Sequence, residues 1–198
     1  MFRFVRCLCF VFAMICVFYA EGGARNCQDT LYSPGEMLKP VDSALKVAQG
    51  DQAIGFSLPS ISGKKVSLSD YLGEKNIVLA FIPAAWTPVC SDQIYEYTFY
   101  EDYFREQDAV LLVISTGDIP TLFAWTRMMM NVWFPVLSDS TPPGEVSGKY
   151  GVKRSTGISE RAVFIIDRRG LIRYIDVHDI NEKPDINTLL TELKSLNK

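Results

Sequence analysis

Cys90 closes the segment FIPAAWTPVC, in which an apolar stretch runs into a proline, a tryptophan, a threonine and a thiol. Cysteine is a nucleophile as its thiolate, and a thiolate needs surroundings that favour negative charge. Thr87 or Pro88 falls near the start of a helix. Proline lacks only an N–H that the first helical position leaves unpaired anyway, and threonine is a capping residue. Cys90 then lies in the first turn of that helix, where unpaired backbone N–H groups and the helix dipole favour an anion. Thr87 either caps N–H groups further on or offers its hydroxyl to whatever approaches the sulfur. Read alone, Cys90 is instead a small buried hydrophobe and Pro83 a simple turn residue.

Placing a thiol in this way needs a strand before it and a helix after it. Residues 76–82 (NIVLAFI) are a continuous apolar run, the pattern of a strand covered on both faces. Residues 108–115 form a second such run and residues 162–166 a third. Helix formers and aromatics fill 92–107, between the first two runs; 119–131 and 145–150 lie between the second and third. Strands alternating with helices predict an α/β layer fold. The turn Asp167-Arg168-Arg169-Gly170 joins 162–166 to 171–177 as an antiparallel hairpin, so the central β-sheet is mixed and flanked by helices. Lys65–Ser69 alternates as a half-buried strand, and Ser69–Leu72 begins a helical turn that Gly73 ends. Residues 185–196 close the chain as an amphipathic helix, with Ile186, Leu189, Leu190, Leu193 and Leu196 on one face. The order suits a thioredoxin-like fold, which would bring Cys90 to the edge of the sheet.

The tail W-T-P-V-C resembles the W-C-x-x-C of a dithiol redox protein whose first cysteine is here Thr87. A closer resemblance is to the peroxiredoxins, the alkyl hydroperoxide reductase and thiol-specific antioxidant superfamily. Pro83-x-x-x-Thr87-x-x-Cys90 is similar to their P-x-x-x-[T/S]-x-x-C signature. Residues 160–167 (ERAVFIID) resemble their R-x-x-F-I-I-D strand, and 50–59 (GDQAIGFSLP) resemble their G-x-x-A-P-x-F-x-L-P opening. The resemblance spans roughly 47–196 and implies a thiol-dependent peroxidase acting on hydrogen peroxide or organic hydroperoxides. It implies that Cys90 attacks the peroxide and becomes a sulfenic acid, and that Arg161 sets a permanent positive charge beside it and donates to the peroxide oxygens. Thr87 would hydrogen-bond the peroxide, and Pro83 would shield the thiolate. Many members carry a glutamate three residues after the cysteine to hold the arginine. Gln93 stands there, able to accept from Arg161 but without charge. No cysteine follows Cys90, which resembles the one-cysteine type, so the sulfenic acid needs an external thiol or thioredoxin-like reductant, or Cys27 as resolving thiol. Cys27 is otherwise a bystander that forms an intermolecular bridge.

The 198 residues are 48% hydrophobic and 22% charged, and this composition predicts one globular domain. A net charge of −3, with no Lys/Arg-rich run, excludes nucleic acid as a partner class. Arg3 and Arg6 precede an apolar run from Cys7 to Ala20, and Gly22, Gly23 and Ala24 follow. This describes a signal peptide over 1–24, cleaved after Ala24, and an exported protein, periplasmic or secreted. The alternative is an uncleaved N-terminal membrane anchor. Residues 25–49, broken by Pro34, Gly35 and Pro40, read as an extended lead-in to the domain at 50–198. Cys7, Cys9 and Cys16 leave with the leader, so a mature chain keeps Cys27 and Cys90. With one histidine, His178, the cysteines offer no metal-site spacing and no haem motif, so no metal or cofactor is expected.

Two aromatic stripes mark the helix after Cys90: Tyr95, Phe99 and Tyr103, and Tyr97, Tyr100 and Phe104. One is expected in the core and the other at a homodimer interface. Trp125, Met128, Met129, Met130, Trp133 and Phe134 read mostly as core, or else as an apolar wall favouring alkyl hydroperoxides. His178 reads as structural. Two other functions fit a leader and this fold, an exported thiol-disulfide oxidoreductase and a non-catalytic binding module. The missing first cysteine opposes the first, and Arg161 opposes the second.

Overall fold

The computed structural model describes residues 37–129 and 132–196. The leader, Cys27 and Met130 lie outside them. Strand β3 (Asn76–Phe81) is buried along its whole length, as its unbroken apolar run requires. It pairs parallel with β4 (Ala109–Ser115) and antiparallel with β6 (Arg161–Ile166). β5 (Val136–Ser138) extends the sheet beyond β4, and β7 (Ile172–His178) extends it beyond β6, giving the order β5-β4-β3-β6-β7. This is the mixed sheet of a thioredoxin-like fold. A separate two-stranded sheet pairs β1 (Ser57–Pro59) with β2 (Lys65–Ser67). β1 and β5 have three residues each, too few to show a period in the sequence.

Side chains alternate across β3 and divide the core into two layers. Val78, Ala80 and Ile82 pack with Cys90, Ile94, Trp125 and Leu189, from helices α1 (Pro88–Tyr97), α3 (Ile119–Met128) and α5 (Ile186–Ser195). Ile77, Leu79 and Phe81 pack on the other face with Leu58, Leu68, Val146 and Tyr150, the last two from α4 (Glu145–Tyr150). Both faces are therefore covered, and α5 docks by the face its spacing predicted, with Ile186, Leu189, Leu190 and Leu193 buried.

The helix that carries Cys90 starts where its first-turn position requires, and the helical stretch over 92–107 is interrupted. Pro88 takes the first position of that helix, a 3-10 turn covers Thr98–Tyr100, and α2 (Glu101–Glu106) follows. Thr98, Phe99 and Tyr100 are weak helix formers in succession, and the Thr98 hydroxyl bonds back to the Tyr95 carbonyl at 2.7 Å. β2 stops at Ser67 rather than Ser69, because Leu68–Asp70 already forms a 3-10 turn whose Asp70 carboxylate accepts from the Ser67 N–H. Of the two aromatic stripes, Tyr97 and Phe104 are buried, while Tyr95 and Phe99 stay exposed in edge-to-face contact. Trp125, Met129 and Phe134 are core, and Met128 is exposed.

The described part of the lead-in is pinned to the domain. The Glu160 carboxylate, fully buried, accepts from the Asp42 N–H at 2.6 Å and pairs with the guanidinium of buried Arg154. Arg154 also donates to the Lys39 and Pro40 carbonyls. Pro40 accepts from the Ile180 N–H at 3.1 Å, and Leu38 exchanges two hydrogen bonds with the Asn181 side chain. Ser155 donates to Asp42 from both its hydroxyl and its N–H, and these bonds hold the Asp42 carboxyl down at about 2. Further along, the lead-in backbone passes so close to Gly151 that a Cβ there would lie 2.3 Å from the Ala44 carbonyl oxygen. Gly151 also ends α4 with φ of +77°, which glycine alone adopts without strain.

Candidate active site

The geometry begins with strand parity. Arg161 shares its side of β6 with Val163 and Ile165, which belong to the layer under α1. Ala162 pairs with Phe81, so Arg161 lies beside the carboxyl end of β3, where the chain turns into α1. That turn is tight. Trp86 holds φ of +65°, a left-handed conformation costly for a bulky residue, and Thr87 returns to extended backbone as the N-cap. Pro88 takes the first helical position and Cys90 the third, inside the turn whose N–H groups lack helical partners.

Cys90 and Arg161 are each 1% exposed. Arg161 Nη2 donates to Cys90 Sγ at 3.4 Å, and Nη1 donates to Gln93 Oε1 at 2.6 Å. Nε and Nη2 both reach the Ile180 carbonyl, at 3.3 and 3.1 Å. The guanidinium fork is thus held on three sides, with an Nη2 N–H turned to the sulfur. Gln93 is itself fixed, because its Nε2 donates to Tyr97 Oη at 2.8 Å. Burial pushes the Tyr97 phenol up to about 12, against the Gln93 bond and the Arg161 charge.

Pro83 is buried at the start of the turn. The Thr87 hydroxyl donates to the Ala84 carbonyl at 3.1 Å and not to the helix, so of the two uses its position allowed, capping is not made. Ser91, next to the thiol, accepts from Trp125 Nε1 at 3.0 Å, which ties α3 to the first turn of α1. Lys183 bridges to Asp92 and Glu96 and so holds the segment after Ile180 against α1. Burial opposes the Lys183 charge, but these two bonds outweigh it and hold the ammonium above its usual range. His178 pairs with Asp176 at 3.3 Å and faces Arg161 across the β6–β7 register. Among the described residues no group of three or more His, Cys, Asp and Glu side chains could hold a metal ion, and no helix is long and apolar enough to cross a membrane.

Pro83, Thr87, Cys90, Gln93 and Arg161 therefore meet at one turn, although Arg161 lies 71 residues from the thiol. Two parts of the cluster escaped the sequence. Tyr97 read only as a member of an aromatic stripe, core or dimer interface, although its place four residues after Gln93 puts both on one helix face. The Ile180 carbonyl is backbone and leaves no side-chain signal.

A thiol in the first turn of a helix after a central strand, with a buried guanidinium against it, defines a thiol redox protein of thioredoxin-like fold. The comparisons narrow that class. The model of the AhpC/TSA family matches residues 49–175. Alkyl hydroperoxide reductase E of Mycobacterium tuberculosis is 35% identical over 137 residues, covering 69% of this chain and 89% of that one. Among solved structures, peroxidoxin BcpB from Mycobacterium tuberculosis is similar with a TM-score of 0.67 at 27% identity, covering 76% of this chain and 98% of its own. The mitochondrial 2-cys peroxiredoxin from Plasmodium falciparum gives 0.70 at 26% identity, covering 76% and 94%. The chain belongs to the AhpC/TSA family, the peroxiredoxins, and is a thiol-dependent peroxidase. This selects the peroxidase over the disulfide oxidoreductase and the binding module.

Proposed function

We propose that Cys90 is the peroxide-reducing thiol, serving hydrogen peroxide and organic hydroperoxides, and that Arg161, Thr87 and Pro83 complete its site with Gln93 in support. The observation that carries this is the Arg161 fork, with Nη2 at 3.4 Å from Sγ and Nη1 on Gln93. The Cys90 thiolate attacks the terminal oxygen of ROOH, the one that carries hydrogen. An S–O bond forms, the O–O bond breaks, and the departing alkoxide takes a proton to leave as ROH. Arg161 neutralises charge that moves from sulfur to the leaving oxygen, at a buried site. Thr87, three residues before the thiol, exchanges its Ala84 bond for the peroxide, and buried Pro83 limits water at the sulfur. The relative named for alkyl hydroperoxide reduction supports the organic class of substrate.

The sulfenic acid is returned by an external thiol. The first thiol forms a mixed disulfide and releases water, and a second displaces it to restore Cys90 as the two reductant sulfurs become a disulfide. The absence of cysteine after Cys90 supports this one-cysteine cycle, with Cys27 either the resolving thiol or a bystander. The basic, apolar and small-residue pattern over 1–24 supports export, and the exposed Tyr95–Phe99 pair supports a homodimer.

Reduced protein mixed with substoichiometric peroxide tests the assignment by intact mass and dimedone trapping. One sulfenic acid at Cys90, formed stoichiometrically and lost in Cys90→Ser, is expected. Oxidation no faster than that of a free thiol overturns it.

A further inference from the structure

We infer that Tyr97 is a positioning residue of the peroxidase site, whose hydroxyl holds the Gln93 amide in the orientation that Arg161 requires. The inference rests on the reading of Cys90 and Arg161 given above.

A glutamine in this place raises a difficulty that a carboxylate does not. A carboxylate presents two equivalent acceptors, whereas an amide presents one acceptor and one donor group, and a guanidinium only donates. Gln93 is fully buried, so neither end of its amide is solvated. Turned the wrong way, its NH2 would meet Arg161 Nη1 donor to donor, and the fork would be pushed off its bond to the sulfur. The right orientation needs an acceptor for Nε2 on the opposite side. Tyr97 Oη is that acceptor, at 2.8 Å, while Oε1 takes the Arg161 bond at 2.6 Å.

Tyr97 is suited to the task because it is held from several sides. It lies one helical turn beyond Gln93 on the same helix, so the two side chains share a face. Its backbone carbonyl accepts from Trp133 Nε1 at 3.1 Å, and its ring makes an edge contact with Phe134 at 6.3 Å between centroids. The ring also borders a cavity of about 260 Å³ with Asp176 and His178, on the side of β7 and α5. A hydroxyl that accepts from Gln93 keeps its own proton for another acceptor. The order of donation runs from Arg161 to Gln93 to Tyr97, each group giving to the next. Without the hydroxyl, Nε2 is a buried donor with no partner, and Gln93 swings to find one and draws Oε1 from Arg161.

The test is the rate at which peroxide oxidises Cys90 in Tyr97→Phe, Gln93→Glu and the double variant, each reduced and each checked for its melting temperature. Tyr97→Phe is expected to be slower by about tenfold, the effect of one lost buried hydrogen bond. Gln93→Glu needs no orienting, since either oxygen serves Arg161. In that background the Tyr97→Phe change is expected to cost less than about twofold. A purely structural tyrosine would cost the same in both backgrounds. Wild-type rate in Tyr97→Phe, or an undiminished loss in the double variant, overturns the inference. Failure of the underlying site assignment looks different, because Cys90→Ser would then still consume peroxide.

Discussion

Replacing Arg161 by methionine keeps much of its length and apolar stem while removing the charge and all four of its hydrogen bonds, to Cys90, Gln93 and twice to Ile180. A unit charge pair at the observed separation, in an effective dielectric near 20, attracts by about 5 kcal/mol. Desolvation of both partners takes back part of that. Loss of one preorganised donor from a transition state elsewhere costs roughly 2.7–4 kcal/mol, or about 10²–10³ in rate. Arg161→Met is therefore expected to slow oxidation of Cys90 by roughly 10²–10³. Arg161→Lys restores the charge but not the fork, since one ammonium cannot face sulfur, amide and carbonyl together, and is expected to recover about tenfold of the loss. Stopped-flow mixing with peroxide reads the rate through the fluorescence of Trp86, four residues from the thiol. A folded Arg161→Met protein oxidised within about threefold of the parent would refute the argument, because the electrostatics could not then be supplying the kilocalories assigned to them.

Glu160→Ala leaves Arg154 as an unpaired buried charge and frees the Asp42 N–H, so urea unfolding should show a loss of about 3–5 kcal/mol; under 1 kcal/mol would mean water reaches the pair. Alkaline titration should show the buried phenols ionising late. Tyr97 is raised to about 12 and Tyr150 is also raised, both by burial, while an unfolded tyrosine ionises near 10. Their contribution to stability is complete below pH 10 and is lost as pH rises through the folded value. Tyrosinate absorbance at 295 nm from these two side chains should therefore appear together with loss of the circular dichroism signal. Its full appearance at pH 10 in folded protein would contradict the burial.

Legibility in the sequence followed the physics of each part. β3 and β4 were visible because a strand buried on both faces must be apolar throughout, and α5 because a one-sided helix must repeat near every third or fourth residue. The reactive turn was visible because proline, threonine and cysteine each have a restricted role at a helix start. Arg161 entered through the resemblance of its strand, and β6 parity and register then account for its nearness to the thiol. What stayed hidden were interactions with no side-chain signature. These were the Ile180 carbonyl under the guanidinium, the three-residue strands β1 and β5, and the break at Thr98, where local hydroxyl bonding competes with the helix. Gln93 was visible as a replacement for a charge, but its orientation depends on a partner one turn away.

Residue Ile180 is held through both of its backbone polar groups. Its N–H is held by the Pro40 carbonyl, and its carbonyl is held twice by Arg161. The Pro40 bond therefore fixes the position of the residue whose carbonyl lies under the guanidinium. The next residue pair repeats the link, since Asp42 is bound by Glu160, the immediate neighbour of Arg161. The shortest polypeptide that retains the full setting of the arginine therefore starts ahead of Pro40, well outside the span 49–175 matched by the family model. Starting the chain at 49 would remove no hydrogen-bond partner of the sulfur, yet it would take away the backbone that holds Ile180 and Glu160, and so slacken the arginine from behind.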